Sequence, residues 1–139
     1  MDLIDWYRRN DVPFARLLGI EVDEAGPERV VGSLQVASGL CTVRDVAHGG
    51  AIVAFADTLG ALATLAHLPR GGMTSTLESK TSFVAPAPVG ARLVGRAELV
   101  HRGRSTVIWL TRVSTEEGRL VALTTQTQWI LPRPGGTSG

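Results

Sequence analysis

The feature that most constrains the fold is a single long stretch with the apolar periodicity of a helix. Stretches with the periodicity of strands precede and follow it in the sequence. Residues 51–67 place large apolar side chains at i, i+3, i+7 and i+10, and these positions form one helix face: Ile52, Phe55, Leu59 and Leu62. Pro69, Gly71 and Gly72 follow, and such residues break helices, so the predicted helix ends before them. We expect the apolar face to pack against a sheet.

Strand patterns account for most of the remaining chain. A short helical lead-in over residues 2–18, interrupted at Pro13, precedes strands predicted at 20–23, 29–36, 73–84, 92–102, 105–114 and 120–131. In the strand at 92–102, alternation places Leu93, Ala97 and Leu99 on one face. The next strand repeats the pattern with Val107, Trp109 and Val113. Because short turns connect these strands, they must pair antiparallel.

These elements predict an α+β fold in which a six-stranded antiparallel sheet packs on one helix. A chain of 139 residues is enough for one domain, which we assign to residues 1–131, and the tail 132–139 is predicted to be flexible. One helix covers only part of six strands, so apolar sheet surface remains exposed. Dimerisation is therefore expected.

Charge and cysteine content argue against several classes of function. The formal net charge is +1, which argues against a globally basic nucleic-acid-binding protein. Cys41 is the only cysteine, so the chain can form no internal disulfide and has no cysteine cluster for zinc, and we expect no metal site. The first residues contain no apolar run of the signal-peptide type, so the cytoplasm is the expected location.

The apolar stretch at 49–68 raises the question of a membrane span, and Asp57 near its middle argues against one. An aspartate at the bilayer centre costs about 3 kcal/mol or more. The stretch is also dominated by Ala and Gly, which drive insertion weakly. We therefore expect no association with a membrane.

The second face of the predicted helix carries an aspartate among small residues. This face contains Gly50, Ala54, Asp57, Gly60, Ala61 and Thr64. Small side chains indicate that a subunit, a strand or a ligand approaches closely. Asp57 has no Arg, Lys or His at i±3 or i±4 to pair with it. Two interpretations stay open: a catalytic base or nucleophile, or a structural group that caps a loop or pairs with a distant arginine.

The segment His48-Gly49-Gly50 stands immediately before this helix. Its two glycines would leave a pair of backbone N–H groups open at the positive end of the helix dipole. Such donors could hold an oxyanion that develops on a carbonyl. The alternative is steric, in which the glycines let the loop cross the sheet and His48 is a loop residue.

A turn rich in arginine separates two of the later strands. It reads His101-Arg102-Gly103-Arg104-Ser105. Arginine binds phosphate in a bidentate manner and glycine allows close approach, so the turn suits a phosphorylated carrier such as coenzyme A. An ordinary exposed hairpin turn explains the same residues.

Several motifs occur in a fixed order along the chain. They are His48-Gly49-Gly50 followed by Asp57 and Gly60, then Thr76-Leu77-Glu78, then Phe83-Val84-Ala85-Pro86-Ala87, and finally Val100-His101-Arg102-Gly103-Arg104-Ser105. This series resembles the hotdog-fold acyl-CoA thioesterases, most closely the PaaI-like branch of the 4-hydroxybenzoyl-CoA thioesterase superfamily. The resemblance extends from about residue 14 to residue 131, which is nearly the whole chain.

The resemblance implies a hotdog fold, a homodimer that often pairs into a homotetramer, and active sites at the dimer interface. It implies that Asp57 attacks the thioester or activates water, and that Gly49 donates its N–H to the thioester oxygen with His48 beside it. Thr76 from the other subunit would orient the water or the carboxylate. The implied substrate is an acyl-CoA with a small or medium acyl group, and the sequence leaves aromatic and aliphatic groups equally open. Coenzyme A is then part of the substrate, and no cofactor is implied. Gly50 and the arginine turn would contact it.

One position departs from the family pattern, and other functions fit the same fold. Many relatives carry an asparagine six residues before the histidine, where this chain has Thr42, which has no amide N–H to donate. One alternative is a non-catalytic acyl-CoA-binding module, although a pure binder has no need of Asp57. Another is a hydratase, whose catalytic Asp and His we would expect about five residues apart, unlike His48 and Asp57.

Overall fold

The chain begins with two short helices and continues into a sheet whose strands flank one long helix. The computed structural model describes residues 1–135, with helices α1 (Leu3–Arg9), α2 (Pro13–Leu18) and α3 (Gly49–Thr64). The strands are β1 (Glu21–Ala25), β2 (Arg29–Gln35), β3 (Met73–Phe83), β4 (Arg92–Arg102), β5 (Thr106–Thr115) and β6 (Leu120–Leu131). Residues 136–139 of the predicted flexible tail lie outside the described residues.

All six strands form one antiparallel sheet in the order β1-β2-β4-β5-β6-β3. The strand that follows α3, β3, pairs with β6, so β1 and β3 are the two edges of the sheet. Helix α3 contacts every strand from β2 to β6. The predicted α+β architecture, with an antiparallel sheet wrapped around one helix, is confirmed.

The large apolar stripe of α3 faces the sheet as predicted. Its members are all buried: Ile52, Phe55, Leu59 and Leu62. On the strands, the predicted inward side chains are also buried, fully for Leu93, Ala97, Val107, Trp109 and Val113 and partly for Leu99. Burying one large apolar side chain contributes about 1.5–3 kcal/mol, so this interface is the main source of stability.

A pair of glycines lets α3 lie close to the sheet. Gly32 of β2 and Gly95 of β4 are directly paired in register. A Cβ atom on Gly95 would lie 2.6 Å from a methyl carbon of Leu59 and 2.9 Å from the ring of Phe55, and one on Gly32 would lie 2.7 Å from Leu59. Since these separations are well below van der Waals contact, the sheet has no room for side chains at this point.

Strands cover part of the second face of α3, the face of small residues. Gly60 and Thr64, which belong to this face, are buried against the sheet. Thr64 Oγ1 accepts a hydrogen bond from Trp109 Nε1 at 2.8 Å and donates one to the Gly60 carbonyl at 2.8 Å. At these two positions the group that approaches α3 is therefore a strand, one of the three possibilities that the small residues left open.

A β-bulge in β3 sets which of its side chains face α3. Thr76 pairs with Gln128 and Glu78 with the preceding residue, Thr127, so Leu77 is the extra residue. Thr76 and Phe83 are seven positions apart, and in a regular strand they would point to opposite faces. The bulge changes the alternation, so both side chains lie on the helix side.

The ends of the helix and the loop before it also differ from the prediction. Helix α3 starts two residues earlier than predicted, at Gly49, and its last predicted turn is a 3-10 turn, Leu65–His67. The loop predicted at 38–47 contains two 3-10 turns, Ser38–Leu40 and Val43–Asp45.

Residues Gly49–His67 form one helix whose length and apolar composition would allow it to cross a membrane. Half of this helix is buried inside the fold, against the sheet. The core helix of a folded domain has the same length and composition, and the packing of α3 is of that kind.

Replacing Gly95 by alanine tests the close packing of α3 on the sheet. Because the new methyl group would overlap with Leu59 and Phe55, we expect Gly95→Ala to lower the free energy of unfolding by about 1–3 kcal/mol in a urea titration. Gly39→Ala is the matched control, since a Cβ there meets no atom within 4 Å, and we expect a change within about 0.5 kcal/mol. Equal effects of the two substitutions would contradict this packing.

Candidate active site

Asp57 lies half-buried in the middle of α3, and one of its two carboxylate oxygens is held by the sheet. Thr76 Oγ1 donates a hydrogen bond to Asp57 Oδ1 at 2.7 Å, and Gln126 Nε2 donates to the same oxygen at 3.3 Å. Among the residues that the structure describes, Oδ2 has no hydrogen-bond partner. The carboxylate is therefore fixed in orientation, with one oxygen left for chemistry.

A second buried amide supports the Thr76 hydroxyl. Gln128 Nε2 donates to Thr76 Oγ1 at 2.6 Å, and Thr74 Oγ1 donates to Gln128 Oε1 at 2.9 Å. Since the Thr76 oxygen accepts from an amide, its own proton is directed at Asp57. The chain of donors runs from Thr74 through Gln128 and Thr76 to the carboxylate.

Gly60 makes room for the amide of Gln126. A Cβ atom on Gly60 would lie 2.3 Å from Gln126 Oε1 and 2.7 Å from Nε2, so only glycine lets this side chain pass beneath α3. Gln126 Oε1 is buried without a hydrogen-bond partner. The opposite amide orientation would place that oxygen against the Asp57 carboxylate, so repulsion keeps the N–H toward Asp57.

Gln126 and Gln128 belong to the site, although no sequence motif predicted them. Both amides are completely buried on β6. A signal was present, because two glutamines fall on the inward positions of a strand whose other inward residues, Ala122 and Thr124, are small and buried. Buried amides need partners, and such a pair indicates a polar network.

At the start of α3, His48 caps the helix with its side chain. His48 Nδ1 accepts a hydrogen bond from the Gly50 N–H at 2.7 Å, so the ring is the tautomer with its proton on Nε2. The Gly49 N–H has no acceptor among the described residues. The expected pair of open N–H groups is therefore reduced to one, on Gly49, because His48 occupies the other.

The ring of Phe83 lies directly over Gly49. A Cβ atom on Gly49 would be 3.1 Å from Phe83 Cζ, so a side chain at this position would push the ring away. Phe83 is 57% exposed, and together with Ile52 and Pro86 it borders a groove beside the free N–H. The Phe-x-x-Pro motif thus forms a wall next to the helix N-terminus.

Two predicted site residues are far apart within one chain. Gly49 and Asp57 are eight residues apart on α3, which corresponds to about 12 Å along the helix axis. Thr76, which the resemblance assigned to the other subunit, contacts Asp57 of its own chain, and this corrects that expectation. The bulge at Leu77 is the reason, since it turns Thr76 toward the helix.

The arginine turn lies at the opposite end of α3. Arg102 donates to the His67 carbonyl at 3.2 Å and to the Gly103 carbonyl, so its guanidinium caps the C-terminal end of the helix. His67 and Gly49 are 18 residues apart, or about 27 Å at 1.5 Å per residue. Arg104 and Ser105 are exposed beside it. The structure does not bring this turn to Gly49.

Metal ligands are not clustered in the part of the chain that the structure describes. Residues 1–135 contain no group of three or more His, Cys, Asp or Glu side chains that could hold a metal ion. The groups that the structure does place along α3 are a carboxylate, a free N–H donor and a hydroxyl.

The fold and these groups together define a class of protein. A six-stranded antiparallel sheet around one helix is the hotdog fold. Residues 45–122 match the family model described as the thioesterase superfamily. The chain belongs to that superfamily, and as a member of it the protein is a thioester hydrolase.

Three solved structures share this fold. A mutant of the phenylacetic acid degradation protein PaaI from Thermus thermophilus is 32% identical with a TM-score of 0.78, over 84% of this chain and 97% of that one. Thioesterase HI1161 from Haemophilus influenzae shares the fold, with 24% identity and a TM-score of 0.88, and the match covers 99% of this chain and 95% of that one. A hypothetical thioesterase from Streptococcus pneumoniae, solved with coenzyme A, is 24% identical with a TM-score of 0.75 over 82% and 87%.

Removing the His48 side chain tests its role as a helix cap. We expect His48→Ala to lower the free energy of unfolding by about 0.5–2 kcal/mol, because the Gly50 N–H loses its acceptor. His48→Asn should retain most of the stability, since its amide oxygen can accept the same bond. A urea titration that gives equal stability for His48→Ala and the wild type would contradict the cap.

Removing the Thr76 hydroxyl tests the orientation of Asp57. Thr76→Val keeps the shape of the side chain but removes a hydrogen bond to a carboxylate, so we expect kcat for thioester hydrolysis to fall about 10- to 100-fold. Thr76→Ser should restore most of the rate. Thr125→Val, on the exposed face of β6, is the control and should retain the wild-type rate. Wild-type kcat in Thr76→Val would show that the hydroxyl has no role.

Proposed function

We propose that the protein is an acyl-CoA thioesterase that hydrolyses the thioester of a small or medium acyl-CoA, with Asp57 as the catalytic carboxylate. The observation that carries this proposal is the carboxylate with one oxygen bound by Thr76 and Gln126 and the other without a partner. A protein that only bound acyl-CoA would have no use for a carboxylate held in this way. This argues against the non-catalytic alternative.

Asp57 Oδ2 is the atom that reacts in this proposal. In one route it takes a proton from the attacking water, the C–S bond breaks, and the acid and coenzyme A leave. In the other it attacks the thioester carbonyl carbon, displaces coenzyme A as the thiolate and forms a mixed anhydride, which water then hydrolyses to release the acid and regenerate the carboxylate. Because Oδ1 is held by the sheet, Oδ2 needs no reorientation when the substrate binds. Such preorganisation lowers the barrier.

The Gly49 N–H is the proposed donor to the thioester oxygen. It is the first N–H of α3, so the helix dipole adds to its pull on negative charge. A donor placed at a developing oxyanion contributes about 3–4 kcal/mol to lowering a barrier. His48 supports this role through the cap, which fixes the first turn of the helix.

A homodimer would bring the two halves of the site together. One carbonyl group cannot contact both Gly49 and Asp57 of the same chain, since they are about 12 Å apart along α3. The edge strand β3 is 11 residues long, is largely exposed, and leaves backbone groups open to pair with another strand. We propose that two copies pair there, with each active site formed from Asp57 of one subunit and Gly49 of its partner, and that dimers pair further into a homotetramer.

Arg104 and Ser105 are the proposed contacts to the phosphates of coenzyme A. Both are exposed on the turn that Gly103 tightens, where the Gly103 N–H donates to the Thr106 carbonyl at 2.8 Å. The coenzyme A in the Streptococcus pneumoniae neighbour is consistent with such a substrate. Arg102 would add positive charge from its position at the end of α3. The cytoplasm, where coenzyme A esters occur, is the proposed location.

Substituting Asp57 tests the proposed chemistry. We expect Asp57→Asn to lower kcat at least about 100-fold for any acyl-CoA that the wild type hydrolyses, because the amide can neither take a proton nor attack the carbonyl. Free-thiol release from a panel of acyl-CoA esters measures the rate. Asp23→Asn, an exposed position on β1, should retain the wild-type rate. Full activity in Asp57→Asn would remove this carboxylate from the mechanism.

Substituting the arginine turn tests the coenzyme A contact. We expect Arg104→Ala and Arg102→Ala to raise KM for acyl-CoA esters with little change in kcat, because the phosphates lie far from the reacting bond. Arg102→Ala should also lower Tm, since it removes the helix cap. An unchanged KM in both variants would rule out this turn as the phosphate site.

A further inference from the structure

The edge strand β3 carries one acidic and one basic side chain on the same face. Glu78 and Lys80 are its only charged residues, and Lys80 is the only lysine of the chain. In the ladder with β6 they pair with Thr127 and Thr125, whereas Ser79 between them pairs with a buried residue, Gln126. Glu78 and Lys80 therefore lie on the outer face of the sheet, and Ser79 lies on the face that packs on α3.

The charges of Glu78 and Lys80 have no counterpart within their own chain. Both side chains are exposed, and neither forms an ion pair with another residue in the part of the chain that the structure describes. A lysine alone on an edge strand opposes pairing with another strand. A glutamate two positions away on the same face makes the edge complementary to an antiparallel copy of itself.

Charge and side-chain direction together leave one central register for two paired β3 strands. A site shared by two α3 helices needs both on one side of the sheet, so outward residues must pair with outward residues. Glu78 opposite Glu78, or Lys80 opposite Lys80, would set like charges face to face. Ser79 opposite Ser79 instead sets Glu78 of each copy opposite Lys80 of the other. We call this pairing the Ser79 register.

The bulge in β3 determines which residues pair further along the strand in the Ser79 register. Beyond Lys80 the partner strand reaches its own bulge, where Leu77 is the extra residue. Thr81 then comes opposite Thr76 of the partner subunit, and Phe83 comes opposite Thr74 of the partner subunit. Inward residues thus continue to pair with inward residues.

The Ser79 register brings the start of one α3 toward the middle of the other. Within each chain, the ring of Phe83 lies over Gly49, and Thr76 holds Asp57. Since Phe83 comes opposite Thr74, two residues from Thr76, Gly49 of one subunit approaches Asp57 of the other. A slip of two residues would move one copy by about 6.6 Å along the strand, and this exceeds the length of a hydrogen bond.

We propose that the protein pairs with a second copy of itself through β3 in the Ser79 register, and that two reciprocal ion pairs between Glu78 and Lys80 select this register. The inference rests on the proposed function, whose shared site it makes specific. Glu78 and Lys80 are positioning residues, because they contact no substrate and act only by placing Gly49 of one subunit beside Asp57 of the other.

Charge reversal tests the ion pairs in the full-length protein. Glu78→Lys and Lys80→Glu each convert both ion pairs into contacts between like charges, so we expect each homodimer to have a Kd at least about tenfold higher than that of the wild type. In a mixture of the two variants, opposite charges meet again. With one variant isotope-labelled, native mass spectrometry should find about nine-tenths of the dimers mixed, whereas random exchange gives half.

Two further variants control this exchange experiment. The double variant Glu78→Lys/Lys80→Glu exchanges the two charges, and we expect it to recover the wild-type Kd and kcat. Asp23→Lys reverses an exposed acid on β1, the opposite edge of the sheet, and it should mix at random with the wild type. The preference for mixed dimers should weaken in 1 M salt, where the screening length is about 3 Å.

Lys80 also allows a covalent test, because no other side chain of the protein carries a primary amine. A carbodiimide condenses an amine with a neighbouring carboxylate into an amide and leaves arginine unchanged. We expect covalent wild-type dimers in which Lys80 of one subunit is joined to Glu78 of the other, identified by peptide mass spectrometry. Lys80→Arg keeps the charge, so it should still dimerise but lose the crosslink.

The outcomes separate the inference from the proposed function. Random mixing of Glu78→Lys with Lys80→Glu, or covalent dimers in which Lys80 is joined to a carboxylate other than Glu78, would overturn the Ser79 register. If Asp57-dependent hydrolysis accompanies either result, the thioesterase function stands without this register. Preferential mixing without hydrolysis of any acyl-CoA ester would support the register and overturn the proposed function.

Discussion

The close contact between α3 and β6 allows the hydrogen bond between Gln126 and Asp57. The geometry of the candidate site depends on this contact and on this hydrogen bond. A Cβ atom at Gly60 would overlap with the Gln126 amide, so the glycine, the amide and the carboxylate form one unit that the sheet holds in place. Thr76 completes this unit from β3, and its position requires the bulge at Leu77. A polar group that is held by partners on two strands keeps a single orientation, which is what a catalytic carboxylate requires.

The free N–H of Gly49 lies on the same helix as Asp57, but at the N-terminal end of α3. His48 takes the Gly50 N–H as its partner and leaves the Gly49 N–H free at the N-terminus of α3, about two turns away from Asp57. In the proposed mechanism a single chain therefore holds two incomplete half-sites. In the proposed dimer two copies pair along the exposed edge strand β3, and each site combines Asp57 of one subunit with the start of α3 of the other.

Most of the architecture could be predicted from the sequence because hydrophobic periodicity is a local property. The apolar stripe of α3 and the alternating strands β4 and β5 fixed the inward faces, and these are confirmed. The sequence left open whether a subunit, a strand or a ligand approaches Gly60 and Thr64, because helical spacing shows which residues share a face but not which of them a sheet covers. Strand register and the bulge at Leu77 decide whether Gln126 and Gln128 reach the site and whether Thr76 contacts Asp57 of its own chain. Neither register nor a bulge can be read from the pattern of a single segment.

Subunit complementation tests the central claim most directly, namely that Asp57 of one chain acts on a carbonyl held by Gly49 of another. Gly49→Pro removes the N–H, and proline is favoured at the first position of a helix after an extended residue such as His48. Its ring also pushes Phe83 away, so Gly49→Ala, which moves the Phe83 ring but keeps the N–H, is the matched control and should stay active. The account predicts that Gly49→Pro and Asp57→Asn are each inactive, and that dimers re-formed from an equal mixture regain about a quarter of wild-type activity, because half are mixed and each mixed dimer has one intact site. No recovered activity in mixed dimers would contradict a site shared between subunits, and full activity of Asp57→Asn alone would contradict the role of the carboxylate.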